Sequence, residues 1–257
     1  MHRYVKNSYG DSIRSPDSFA AFKPIDGVDP NELSCWISLT EVHTVSALEW
    51  TWTEDWSVGP RTVEDSMWFS FLRGKGTGWI GSPKTQINYS DGDMVLIPQG
   101  IPHQITPDRR SRARVIAVHF HARVFGVFNL LSVLQFPQII HDSRTVHHVS
   151  VSERLAREFA VRPPAWQTAM DIEVRSLLIS FLRHLGSSSK LQVEGSSLKD
   201  LMRFKAAFEL IEKNLANPDF SVRDMASAVY LSEVQFRKIF HRLTGVKPDC
   251  LFAPSAD

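Results

Sequence analysis

Residues 221–248, SVRDMASAVYLSEVQFRKIFHRLTGVKP, carry two consecutive apolar stripes of helical period. Val222, Met225, Ala226 and Val229 recur at i, i+3, i+4 and i+7, and Phe236, Ile239, Phe240 and Leu243 repeat that spacing. Each segment predicts a short amphipathic helix with one face to bury. Ser221 stands three residues before Asp224, and Ser232 three before Gln235. At that separation a side chain reaches back to an unpaired N–H of the first turn. Gly245 and Pro248 stop the second helix. Val229, Tyr230 and Leu231 alone connect the pair, the connection length of a helix-turn-helix. An ordinary helical hairpin satisfies the same spacing. The outer face shifts the balance, because Val234, Gln235, Arg237, Lys238, His241 and Arg242 remain outside the stripe and suit phosphates and base edges.

Upstream the period changes. Between residues 34 and 121 the chain alternates short β-rich runs with turn residues: CWISL, VHTVSALEWTW, MWFSFLR, GWIG, TQINY, MVLIP, HQI and RVIAVHF. Many short strands at this spacing predict a β-sandwich or barrel. Residues 1–30, rich in Ser, Asp, Pro and Gly, read as a partly ordered arm. Residues 150–160 predict a helix capped by Ser150 or Ser152 with Val151, Leu155 and Phe159 inward, ended by Pro163 and Pro164. A longer helix over 165–185 carries Met170, Val174, Leu177, Leu178, Phe181 and Leu185 on one broad stripe, which either packs on the barrel or forms a dimer seam. Residues 187–197 are the core of a Gly/Ser-rich linker. The helix predicted over 198–217, with Leu201, Phe204, Phe208, Ile211 and Leu215 inward, supplies the partner that the two short helices lack.

Composition narrows the classes. A 257-residue chain that is 43% hydrophobic buries one large core or two moderate ones. The net charge of +1 gives no bulk attraction to nucleic acid or acidic membranes. Residues 199–250 hold nine Lys and Arg against seven Asp and Glu, so a basic stripe lies on the second short helix if anywhere. Cys35 and Cys250 are far apart and without metal-ligand spacing, which reads as free thiols in a reducing compartment. The N-terminus has no apolar signal region and no run approaches the roughly 18 apolar residues of a membrane span. The expected location is the cytoplasm, with no membrane partner.

Ala226, Ser232, Phe236, Lys238, Ile239, Phe240, Thr244, Gly245 and Pro248 together make a pattern that resembles the first helix-turn-helix of AraC/XylS-type transcriptional regulators. Two features depart from it. Tyr230 stands where the family has Gly, a left-handed position that costs a side chain roughly 1–2 kcal/mol. The family's second helix-turn-helix has no counterpart before Asp257, so the pattern reads as truncated. Gly92, Pro98, Gly100 and His103 in turn resemble the second motif of the cupin, or jelly-roll, superfamily.

The resemblance implies an α+β chain. An arm (1–30) leads into a cupin-like effector-binding barrel (31–148), a helical dimerisation or packing segment (149–186), a linker (187–197) and a partial helix-turn-helix domain (198–257). The positions of the first cupin motif fall on Arg61, Val63 and Met67, so no metal triad, cofactor or catalytic residue is expected. His119 and His121 alternate on one strand face, either joining His103 or, as such pairs more often do, standing as partly exposed strand residues, and the Arg-rich run 108–114 reads as a solvated loop. An indole beside Arg or His suits a sugar ring, which makes Trp68, Arg73, Trp79 and His103 the ligand candidates. By resemblance Val234, Arg237 and Lys238 face base edges, while Ser232 and Arg242 meet phosphates. The implied function is a homodimeric, ligand-responsive regulator that binds double-stranded DNA and a small-molecule effector such as a carbohydrate. The alternatives are a ligand-binding protein that has lost DNA binding and a metal-dependent cupin enzyme.

Overall fold

The computed structural model describes residues 4–6, 12–14, 37–52, 58–81, 84–108, 111–124, 126, 128–132, 134–141, 147–187, 192–193, 203–204, 207, 209–210, 213–214, 217, 219–244 and 247–251. Strands β1 (Tyr4–Lys6) and β2 (Ser12–Arg14) pair antiparallel by themselves. The body of the chain is two antiparallel sheets. One contains β3 (Thr40–Trp52), β5 (Ser66–Arg73), β8 (Met94–Ile97), β10 (Ala113–Val124), β11 (Phe128–Asn129) and β13 (Ile139–Ile140). The other runs β4 (Val58–Arg61), β9 (His103–Pro107), β6 (Gly76–Ile80) and β7 (Thr85–Tyr89). A short ladder joins β12 (Leu134–Gln135) to β14 (Gln192–Val193).

Alternation along β5, β8 and β10 sorts side chains into two cores. Met67, Phe69, Phe71, Val95, Ile97, Val115 and Ala117 turn toward the smaller sheet, where they meet Ile80, Ile87, Tyr89 and Ile105. Phe71 stacks on Tyr89 with ring centroids 3.8 Å apart, and Trp52 stands edge-on to both Phe69 and Phe71 at 6.2 Å. Trp68, Met94, Leu96, Ile116, Val118 and Phe120 turn the other way, toward the helices. With both faces covered, β8 reads as the unbroken apolar run MVLI instead of an alternating one.

Helix α1 (His148–Val161) and helix α2 (Trp166–Ser187) cover that second face. All six residues of the α2 stripe are buried against this chain's own sheet, and Ile172, 63% exposed, is left on the outside. The N-cap of α1 is His147 in a left-handed conformation, not Ser150 or Ser152. Ser152 lies in the core because it has a polar task there. Trp68 Nε1–H donates to Ser152 Oγ at 3.0 Å, the Ser152 and Ser70 hydroxyls are 2.7 Å apart, and Ser70 lies 2.8 Å from His148 Nδ1. His148 Nε2 reaches the Gly92 carbonyl at 3.0 Å. Only one direction satisfies every proton: Trp68 to Ser152 to Ser70 to His148 Nδ1, with Nε2–H donating to Gly92.

Helical backbone recurs at 203–204, 207, 209–210 and 213–214. Helix α3 (Val222–Ala228) and helix α4 (Glu233–Thr244) follow, and the buried Phe204 ring lies 4.9 Å from Phe236, nearly parallel. Phe204, Met225, Ala226, Val229, Phe236 and Phe240 are continuous with the helix-facing core of the sandwich. Leu201, Phe208, Ile211, Leu215 and Cys35 lie outside the described residues. Three expectations are corrected. Ile37 to Leu39 form a helical turn rather than part of a strand. Gln192 and Val193 of the expected linker are paired to β12. Arg114 belongs to β10, where Glu49 holds it through two hydrogen bonds of 2.6 and 3.1 Å.

Burial holds the His148 imidazole below its ordinary pKa of 6.5, against the opposing pull of the Gly92 hydrogen bond and Asp93. The unfolded chain therefore takes up this proton first as pH falls. The stabilisation from a neutral His148 is complete above about pH 6.5 and is lost progressively below it. His148→Leu is expected to cost about 1–3 kcal/mol at pH 7.5, since Ser70 and the Gly92 carbonyl lose their partner, and to flatten the acid limb of a stability-against-pH curve measured by urea unfolding.

Candidate functional site

Two turns bring His103 to the end of the sandwich. Gly92 at φ 81° and Gly100 at φ 77° adopt backbone that a side chain disfavours, and the Gly100 N–H donates to the Val63 carbonyl at 3.0 Å. His103 then opens β9 fully buried, its Nδ1 3.0 Å from the Ile101 carbonyl. Nδ1 therefore carries the hydrogen, and Nε2 accepts from Arg61 Nε–H at 3.4 Å. The same Arg61 guanidinium lies 4.0 Å from Met67 Sδ. Nearby, His119 Nδ1 meets Asp65 Oδ1 at 2.8 Å, and the His121 Nδ1 is buried without a hydrogen-bond partner among the described residues. Both histidines alternate on the sandwich-facing side of β10, His121 opposite His43 of β3.

Burial favours the neutral imidazole forms of His103 and His121. Burial lowers the His103 pKa first, the Ile101 hydrogen bond opposes it, and Arg61 and His119 lower it further. Burial also lowers His121, with Arg123 and His43 adding to the effect and Asp65 opposing it. The Arg61 guanidinium stands against His103 Nε2, so a dication there would face a fixed like charge. The residues do not fit a metal, and among the described residues no three His, Cys, Asp or Glu side chains are grouped to hold one. What the arrangement offers is hydrogen-bond donors and acceptors at the end of a packed sandwich.

The four ligand candidates do not meet. His103 faces the sandwich interior. Trp68 is fully buried on the opposite face of its sheet and bound to Ser152. Trp79 lies on the outer side of the smaller sheet, where its Nε1–H donates to Gln104 at 2.8 Å and Lys84 Nζ sits 4.2 Å from its ring. Arg73 is exposed at the far end of β5, paired in register with Arg114. Strand parity separates Trp68 from Met67 and Trp79 from Ile80, and the sequence contains no further signal of which face belongs to which layer. His119 and His121, the alternative partners of His103, do lie at the His103 end, together with Arg61 and Asp65, which stand outside the candidate set. The signal for Arg61 was its place in the first cupin-motif spacing.

The other candidate surface is α4. Ser232, Val234, Gln235, Lys238 and His241 are exposed, Val234 by 78%. Ser232 is tied into the helix start, its N–H and hydroxyl 3.3 and 3.0 Å from Gln235 Oε1. Asp224 does the same for α3, accepting from the Ser221 N–H at 2.9 Å. Tyr230 takes the left-handed turn position at φ 55° with its side chain 89% exposed. Arg237 is already engaged, by Asp249 and by Glu233 at 3.8 Å. The Arg242 side chain lies outside the described residues.

No protein-family model and no curated protein matches the chain. Solved structures similar to part of it include an oxalate decarboxylase from Bacillus subtilis, at 14% identity over 30% of this chain and 24% of that one, TM-score 0.27. A cupin protein from Bacteroides fragilis matches at 19% identity over 32% and 67%, TM-score 0.25. The hydroxypropylphosphonic acid epoxidase of S. wedmorenis matches at 15% over 28% and 41%, TM-score 0.24. The chain thus spans about a quarter of the oxalate decarboxylase it resembles. Likenesses this low carry no functional argument, and the two-sheet architecture rests on the strand order and the two cores.

Because Arg61 lowers the His103 pKa, Arg61→Ala should raise it. The value should stay below 6.5, since burial is the larger cause. An NMR titration of the His103 ring protons reads this directly, and an unchanged midpoint would place the guanidinium elsewhere in solution.

Proposed function

We propose that this chain is a DNA-binding regulator in which α3 and α4 read double-stranded DNA and the sandwich with α1 and α2 is the body that controls them. The observation that carries the reading is the solvent face of α4, where Gln235, Lys238 and His241 surround the exposed Val234 while Phe236 and Phe240 anchor the helix from behind. A helix held rigidly by its apolar side, with donors and a small apolar side chain on the other, suits the major groove. Val234, Arg237 and Lys238 approach base edges, and Ser232 and Arg242 approach phosphates. One such helix makes few phosphate contacts, so the regulator acts as a homodimer, and a small-molecule effector sets its activity.

A second reading, a binding protein that does not engage DNA, draws on Arg237, which must leave Asp249 and Glu233 before it can contact a base. Exposed ion pairs of this kind contribute only about 0–1 kcal/mol, so the obstacle is small.

Selection from a random duplex library, followed by gel-shift titration at low salt, separates the two. Arg242→Ala, which removes a phosphate contact, is expected to weaken all duplexes about equally and to reduce the salt slope by about 1. Arg237→Ala should cost roughly 1–3 kcal/mol and relax preference at one base position. If no duplex is preferred over random sequence, the second reading stands.

A further inference from the structure

Between β3 and α1 the chain leaves a groove of about 770 Å³. Its cause is legible in the side chains: Ala156 and Ala160, one helical turn apart on α1, and Ala47 on β3 present methyl groups where larger residues would close the gap. Phe159 completes the apolar lining.

The charges along the groove are unequal. Arg114 is neutralised at one end by Glu49 at 2.6 Å and Glu153 at 3.7 Å. Arg157 and Arg162 also line the groove, and among the described residues neither has an ion-pair partner. Arg162 is nevertheless held in place. Its Nε–H donates to the Phe159 carbonyl at 3.3 Å, and its guanidinium lies 5.1 Å from the rings of both Phe159 and Trp166. The backbone there is left-handed, at φ 51°, in the residue that caps α1 before Pro163. A non-glycine residue in that conformation costs of order 1–3 kcal/mol, and here it turns the arginine back toward the groove.

We propose that this groove is a binding site for an amphiphilic anion, an alkyl or aryl body ending in a carboxylate. The apolar body lies against Ala47, Ala156 and Phe159, and the carboxylate is shared by Arg157 and Arg162, whose charges no protein group answers among the described residues. The site is separate from the His103 end of the sandwich and does not depend on the DNA-reading role of α4.

Isothermal titration of the full chain with sodium decanoate, and with decanol as the neutral body of the same length, tests it. Decanoate should bind at least about tenfold more tightly than decanol. Arg162→Glu should abolish that preference, and Ala156→Trp, which fills the groove, should abolish binding of both. Arg162 is exposed and outside the core, so its variant keeps the test decisive even if Ala156→Trp fails to fold. Equal affinity for decanoate and decanol, an undiminished preference in Arg162→Glu, or no binding tighter than about 1 mM overturns the proposal.

Discussion

Strand β10 is the constraint on which the rest of the chain depends. It is paired along its length to β3 and on its other side to β5 and β11, and almost every residue from Ala113 to Val124 is buried or half-buried. Its odd positions build the sandwich interior and its even positions the floor for α1 and α2. A slip of one residue would exchange those two sets, placing His119 and His121 under the helices and Phe120 beside Asp65. The polar end of the sandwich and the apolar seat of the helices are therefore two readings of one register. The shift opposite His119, where Val45 of β3 is passed over, is absorbed on the partner strand and leaves the alternation of β10 intact.

Polar groups then fix how the helices sit on that floor. Apolar contact alone would let α1 slide, but the chain of hydrogen bonds from Trp68 through Ser152 and Ser70 to His148 permits one position. Its far end at the Gly92 carbonyl ties the helix start to the turn that leads into β8. Other links tie α2 to β3: Asp171 accepts from the Thr44 N–H at 2.7 Å, and Gln167 donates to the Thr44 carbonyl at 2.9 Å. Among the described residues four non-glycine positions accept left-handed backbone, and His147, Arg162 and Tyr230 of these flank or join helices, where a change of chain direction outweighs the local cost.

Much of this was legible in the residues. The run TQINY is β7, MVLI is β8, and the stripe from Met170 to Leu185 is the buried face of α2. The capping pairs at Ser221 and Ser232 follow from spacing alone, and the left-handed Tyr230 from the resemblance of the helix pair to a known pattern. What was not legible has a common cause. Period-two alternation says that Trp68 and Phe69 point opposite ways, but which side meets the second sheet depends on pairings tens of residues distant. A serine within a helical stripe looks like a cap until a tryptophan reaches it from another element, as at Ser152. Arg237 looked free because its partner Asp249 lies beyond the helix, in a 3-10 turn that has no periodicity.

The pairing of β10 with β3 also sets an order of events. As the chain is made, β3 emerges with its apolar positions long before β10 exists, while the local β6–β7 hairpin can already close. Until the last third of β10 appears, neither core has its central wall. Closure over so long a separation is slow, and the waiting strand offers open backbone to any similar neighbour. Contact order thus puts the slow step expected in folding at one late meeting of two long strands, with β3 the edge most open to another copy until then.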